Sequence, residues 1–201
     1  VSPVQEQAEI FAVQNVGSYV QFTVVAPGIA ADAKPGQFVA VAVGGPQTSM
    51  LLRRSFALYD ATPGGEFAGT IQFVVAAHGP GTQWLVEQPA GVKLDIVGPL
   101  GKPFPMPTDP VPAVLVGGGY GSAPLIPLAR DLLEAGSDVE IIIGAASADK
   151  LFGELVARRT VGKVSVTTDD GSAGVQGLVT DLLPSTIQRL GAQVVYACGP
   201  M

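Results

Sequence analysis

Four groups of residues in this sequence could do chemistry. The first is VLVGGGYGSAPLIPLA, residues 114–129, which sets four glycines between an apolar run and a helical pattern. Backbone amides without bulky side chains, at the opening of a helix, suit an anion, because the N–H groups and the helix dipole both point at it. The spacing G-x-G-x-x-G fails at Ser122 or meets Pro124, and no G-K-[ST] follows, so neither the common dinucleotide fingerprint nor a P-loop is present. A plain turn would account for one or two of the glycines but not for four within five residues. The second group is Arg53 and Arg54, adjacent in the apolar setting LLRRSFAL (51–58). A guanidinium fork suits two phosphate oxygens, and a pair of strand-edge arginines facing water is the alternative. Third, Asp169 and Asp170 read either as a solvated turn or helix cap, or as acids that could meet a ligand at a strand end. Fourth, Cys198 stands at a strand end before Gly199 and Pro200, a poor place for a core cysteine, and nothing around it suggests a covalent intermediate. The single histidine, His78, has no partner ligands nearby in sequence and reads as a turn residue, so no metal site is expected.

Composition narrows what these groups could serve. The chain has 201 residues, a net charge of −6 and a pI near 4.6, which argues against nucleic acid or an anionic membrane as partner. Its apolar runs are too short to span a bilayer, and no charged-then-apolar leader opens the sequence at Val1. One cysteine excludes an internal disulfide and fits a reducing cytoplasm; it also cannot by itself ligate a metal cluster.

Two periodicities position the candidate residues. Up to about Pro110 the pattern is strand-like, with expected strands at 8–16, 19–26, 37–43, 55–60, 70–76 and 93–97 and a helical turn near 81–88. Glycine and proline punctuate them, as at 44–46 and 63–65, and the spacing predicts a small antiparallel barrel. KPFPMPTDPVP (102–112), with five prolines, is a boundary. Beyond it, strands at 111–116, 139–143, 164–167 and 194–197 alternate with helices at 123–135, 150–158 and 175–190, the pattern of a doubly wound parallel sheet. Pro127 should remove a hydrogen bond or bend the start of the first of these helices. Ligands of such sheets sit outside the carboxyl ends of the strands, where 117–122, 144–149, 168–174 and 198–201 gather Gly, Ser and Asp.

Six segments in register, LLRRSFAL (51–58), GPGTQWL (79–85), GPLGKPF (98–104), GGGYGSAPLIPLA (117–129), TTDDGSAGVQGLVTDLL (167–183) and CGPM (198–201), resemble the ferredoxin–NADP reductase superfamily. Within it they are similar to the electron-transfer subunits of NAD-dependent dihydroorotate dehydrogenases. The resemblance implies an FAD-binding β-barrel over residues 1–105 and an NAD-binding α/β domain over 111–201. Carried over by position, Arg54 would meet the FAD pyrophosphate, with Ser55, Phe56 and Ala57 following it along the flavin. Val74, Val75 and Ala76 would line the isoalloxazine ring, while Gly79, Gly81 and Thr82 would hold flavin phosphates through backbone amides and a hydroxyl. Gly118, Gly119 and Gly121 would face the NAD pyrophosphate. Asp169 and Asp170 would favour NAD over NADP, and Cys198 with Gly199 would sit by the nicotinamide, Cys198 as the catalytic-centre residue.

The activity so implied is electron transfer between NAD(H) and a dihydroorotate-oxidising, FMN-containing catalytic subunit in pyrimidine biosynthesis, as a cytoplasmic heterotetramer. The chain departs from the family's pattern in three places. Ala57 stands where a hydroxyl is usual, and Ala76 where a basic residue is frequent. The family also continues through a helix into a cysteine-rich module holding [2Fe-2S]; the expectation is that these 201 residues are part of a longer protein and that the cluster belongs to the remainder. Two other readings stay open: the small subunit of an NADPH–ferredoxin reductase, which shares the TDDGS segment, and a flavin or nucleotide sensor without turnover.

Overall fold

The structure is a computed structural model that describes residues 2–45, 48–64 and 68–199. Four expected punctuation or motif residues, Pro46, Gly65, Pro200 and Met201, lie outside the described residues. The chain divides into two compact units, Val1–Phe104 and Pro105–Met201.

In the first unit, β1 (Val4–Val16), β2 (Tyr19–Val25), β3 (Phe38–Val41), β4 (Arg54–Thr62), β5 (Thr70–Val75) and β6 (Lys93–Leu100) close into an antiparallel barrel. Their order around it is β1-β2-β5-β4-β3-β6, and the pairing of β6 back to β1 leaves no free edge. Alternation decides which side chains face in. Phe22 and Val24, Val39 and Val41, Phe56 and Leu58, Ile71, Phe73 and Val75, and Leu94 and Ile96 form the interior cluster. Phe73 stacks on Phe22 at 5.5 Å and on Phe56 at 5.3 Å, centroid to centroid. A helix that the sequence did not announce, α1 (Pro27–Asp32), plugs one side of the barrel with Ile29 and Ala30. Its cap is remote in sequence: the Glu6 carboxylate accepts the N–H groups of Gly28 (3.0 Å) and Ile29 (3.1 Å). The expected helical turn near 81–88 is α2 (Pro80–Val86).

In the second unit a parallel sheet has the order β10-β9-β8-β7-β11, built from β7 (Ala113–Gly118), β8 (Val139–Ala145), β9 (Val164–Thr168), β10 (Val175–Gln176) and β11 (Val194–Cys198). Two helices, α3 (Leu125–Glu134) and α4 (Glu154–Val161), pack on each other over one face, and α5 (Val179–Leu190) covers Val114, Val116 and Ile142 on the other. Three helix limits differ from the sequence expectation. After β7 the chain makes a 3-10 turn over Gly119–Ser122, and α3 begins only at Leu125. Pro127 therefore falls in the first turn of α3, where no intrahelical acceptor awaits its missing N–H. α4 is delimited by left-handed glycines, Gly153 (φ 75°) and Gly162 (φ 70°), which shift it from the expected 150–158. The expected helix 175–190 splits: Val175 and Gln176 extend the sheet, and α5 starts where Asp181 Oδ2 accepts the N–H of Leu178 at 2.8 Å.

Candidate functional site

At one end of the barrel the two adjacent arginines have different partners. Arg53 Nη2 pairs with Asp95 Oδ2 at 2.8 Å, and its Nη1 donates to the Asp95 carbonyl, also at 2.8 Å. Gln5 Nε2 completes the tie with 2.9 and 3.0 Å bonds to the same carboxylate. Partial burial alone would raise the Asp95 carboxyl; hydrogen bonds from Arg53 and Gln5, with the Arg53 charge, outweigh it and hold the group below its ordinary value. Arg53 is thus committed to joining β6 and the start of β4.

Arg54 is not so committed. Its Nη1 donates to the Leu52 carbonyl at 2.6 Å, while Nε and Nη2 lie 3.1 and 3.3 Å from where a Cβ on Gly81 would stand. Gly81, second in α2, is buried, and any side chain there would press on the guanidinium and on Val43. The bare glycine is what lets the charged fork rest against the head of a helix.

Thr82 does something other than the sequence suggested. Its Oγ1 accepts the N–H groups of His78 (3.0 Å) and Gly79 (3.1 Å) and donates to the Gly79 carbonyl at 3.0 Å. The hydroxyl and those two amides are therefore engaged with one another, and the donors left at this turn are the first N–H groups of α2, on Gly81 and Thr82. The side chains of Phe56 and Val75 are in the barrel core, which leaves their backbone to face an outside ligand. Ser55 and Ala57 are exposed on the outer face of β4, and Val74 and Ala76, although buried, are not members of the interior cluster. His78 is an exposed turn residue.

In the second unit the strand order reverses between β7 and β11, and the carboxyl ends of these two strands bring Gly117, Gly118, Gly119, Gly121 and Gly199 together. A Cβ on Gly121 would stand 2.6 Å from Gly199 Cα and 2.8 Å from the Cys198 carbonyl oxygen; one on Gly199 would stand 3.0 Å from Gly118 Cα. Gly117 is pressed by Ser122, and Gly119 adopts φ 54°. Close backbone packing thus explains much of the glycine cluster, a demand that no residue spacing displayed. Ser122, fully buried, has one hydroxyl proton to share between the carbonyl oxygens of Gly119 (2.9 Å) and Phe152 (2.8 Å), and so lies between the turn and the loop before α4. Cys198 is half-buried, and burial pushes its thiol up from its ordinary value, so it is held as the neutral thiol.

Asp169 and Asp170 lie at the end of β9, two strands from β7, a separation of roughly 10 Å across the sheet edge. Both are exposed. Hydrogen bonds from the Ser172 hydroxyl and amide hold the Asp170 carboxyl below its ordinary value. Asp170 is therefore the cap of its own turn, and Asp169 is left as the acid that can meet a ligand. Among the described residues no group of three or more His, Cys, Asp and Glu side chains could hold a metal ion, and no helix is long and apolar enough to cross a membrane.

No family model matches the chain. It is 37% identical over 170 residues to the dihydroorotate dehydrogenase B (NAD+) electron transfer subunit of Shouchella clausii (strain KSM-K16), a match covering 84% of this chain and 63% of that protein. The chain therefore spans less than two thirds of that relative's length. The corresponding subunit of Listeria monocytogenes serovar 1/2a is 31% identical over 201 residues, covering 98% of this chain and 75% of that one. Among solved structures, an NADH-dependent reduced ferredoxin–NADP oxidoreductase superposes with a TM-score of 0.80 at 30% identity, over 97% of this chain and 68% of its own.

Proposed function

We infer the function from one premise: the chain belongs to the family of dihydroorotate dehydrogenase B (NAD+) electron transfer subunits. We propose that its barrel holds FAD and its parallel sheet holds NAD(H). The electrons would be exchanged with an FMN-containing, dihydroorotate-oxidising catalytic subunit in the cytoplasm, as a heterotetramer. FAD, when bound, supplies the step between two-electron hydride transfer and one-electron transfer. No iron–sulfur ligation is assigned to the described residues.

The single observation that carries the proposal is the Arg54 fork resting on bare Gly81 at the head of α2. Arg54 would neutralise the diphosphate with Nε and Nη2, and the leading amides of α2 would add hydrogen bonds. Ser55 and Ala57, exposed on β4, and Val74 and Ala76 would offer the flavin ring a small, mostly apolar surface; Phe56 and Val75 would contribute backbone only. Gly118, Gly119 and Gly121 would admit the coenzyme's pyrophosphate at the switch point between β7 and β11. Cys198 would stand beside the nicotinamide as a neutral thiol that excludes water, with Gly199 keeping the approach open, and Asp169 would meet the ribose.

The test is direct. The purified chain loaded with FAD should be yellow and should bleach when NADH is added without oxygen. Arg54→Ala should weaken FAD retention on the order of 30-fold, about 2 kcal/mol for a charge-assisted pair, while Arg158→Ala on α4 should leave it unchanged. Equal retention in the two variants, or a flavin that NADH cannot bleach, would sink the assignment.

A further inference from the structure

Asp169 and Asp170 are neighbours with different surroundings. Asp170 Oδ1 accepts the Ser172 backbone N–H at 2.9 Å and the Ser172 hydroxyl at 2.5 Å. A serine hydroxyl has one proton, and once that proton is committed to Asp170 the oxygen is left as an acceptor. It accepts the N–H of Ala148, in the loop after β8, at 2.8 Å. The backbone already crosses between the two strand ends through Asp169 N–H to Ala145 O (3.1 Å) and Asp170 N–H to Ala146 O (3.3 Å). Ser172 extends this lacing by a side-chain tie further out, toward the tips of the loops 144–149 and 168–174. Within its own loop, Thr168 Oγ1 donates to Ala173 O (2.7 Å) and accepts its N–H (3.0 Å), which fixes the residue next to Ser172. The tie is therefore anchored at its Ser172 end.

Resting on the coenzyme reading above, we propose that Asp170 and Ser172 are positioning residues for NAD(H). Together they set the spacing between the 144–149 and 168–174 loops and so hold the Asp169 carboxylate where it discriminates against a 2′-phosphate. The two acids divide the work: Asp170 orients the Ser172 hydroxyl, and Asp169 is the specificity-determining group. Asp170 acts through Ser172 and need not touch the coenzyme.

The experiment uses the FAD-loaded full chain with three readouts: NAD+ affinity, NADP+ affinity by the same titration, and amide hydrogen exchange at Ala148. Ser172→Ala should weaken NAD+ binding about five- to tenfold, the worth of one lost hydrogen bond, narrow the discrimination against NADP+, and speed exchange at Ala148. Ser172→Thr keeps the hydroxyl and should restore all three. Asp170→Ala should reproduce Ser172→Ala, whereas Asp169→Asn should narrow discrimination and leave the Ala148 amide protected. If Ser172→Ala frees the Ala148 amide while both affinities stay put, the tie is merely structural and the proposal is overturned. An Ala148 amide indifferent to Ser172→Ala overturns it too. A wild-type chain that binds neither dinucleotide refutes the coenzyme reading itself, an outcome distinct from the other two.

Discussion

Adjacent residues of the same type have separate tasks in this protein, and contacts across the fold separate them. Arg53 and Arg54 are indistinguishable by composition, yet Asp95 on β6, itself held by Gln5 of β1, engages Arg53 and not Arg54. The Asp95 carboxyl is lowered on folding, so it contributes stability that is fully present above its unfolded value, 3.8, and is lost as pH falls through the lower folded one. Asp95→Asn should therefore be less stable than the wild type by a constant margin from about pH 7 to pH 5, closing below about pH 4 as the wild-type carboxyl takes up its proton. Urea midpoints across that range measure the margin; one that persists at pH 2.5 would show that the charge on Asp95 is not what joins β6 to β4.

At the scale of elements, the turn between β7 and α3 is shaped by how closely it must approach the end of β11. Gly121 has no left-handed backbone angle, so its need for glycine is one of space: a Cβ would sit 2.6–2.9 Å from backbone atoms of Cys198 and Gly199, which cannot swing aside as a side-chain tip could. Gly121→Ala should cost about 1–3 kcal/mol through forced separation of β11 from the turn. Gly79, which caps α2 with extended backbone and open space around its Cα, should accept alanine within about 0.5 kcal/mol. Thermal unfolding of both variants checks the contrast, and equal tolerance would mean that the turn and β11 are not in contact. A similar logic governs α1, whose N–H groups at Gly28 and Ile29 are satisfied by Glu6 from the first strand.

At the scale of the whole molecule, a net charge of −6 sets a background against any more highly charged ligand. NADPH carries a further phosphate, and Asp169 adds a local acid at the edge where we place the ribose. NADH should therefore reduce the flavin faster than NADPH at equal concentration. The part of that preference owed to net charge should shrink as salt is raised, since screening lengths fall from about 10 Å at 0.1 M to about 3 Å at 1 M. Stopped-flow bleaching at several ionic strengths separates the two contributions: the distant charges are screened first, while the share of the nearby Asp169 carboxylate persists to higher salt and should fall in Asp169→Asn. A wild-type preference for NADPH would favour an NADPH–ferredoxin reductase activity instead.

The sequence by itself determined the architecture, because burial of one face leaves a period that can be read without coordinates. Alternation along β2, β4 and β6 required a sheet with a closed interior, and the β–α alternation after the proline-rich stretch required a parallel sheet. Arg54, Gly81 and Asp169 were legible as candidates from residue type and resemblance. Only the tertiary structure decided what each neighbour does. Thr82 spends its hydroxyl on the turn it caps, Phe56 and Val75 turn inward, Asp170 serves Ser172, and much of the glycine cluster answers to the end of β11. Each of these depends on a hydrogen-bond partner, an inward-facing register or a backbone approach. Except where the partner lies within a turn, it comes from a segment distant in sequence, and no local pattern records it.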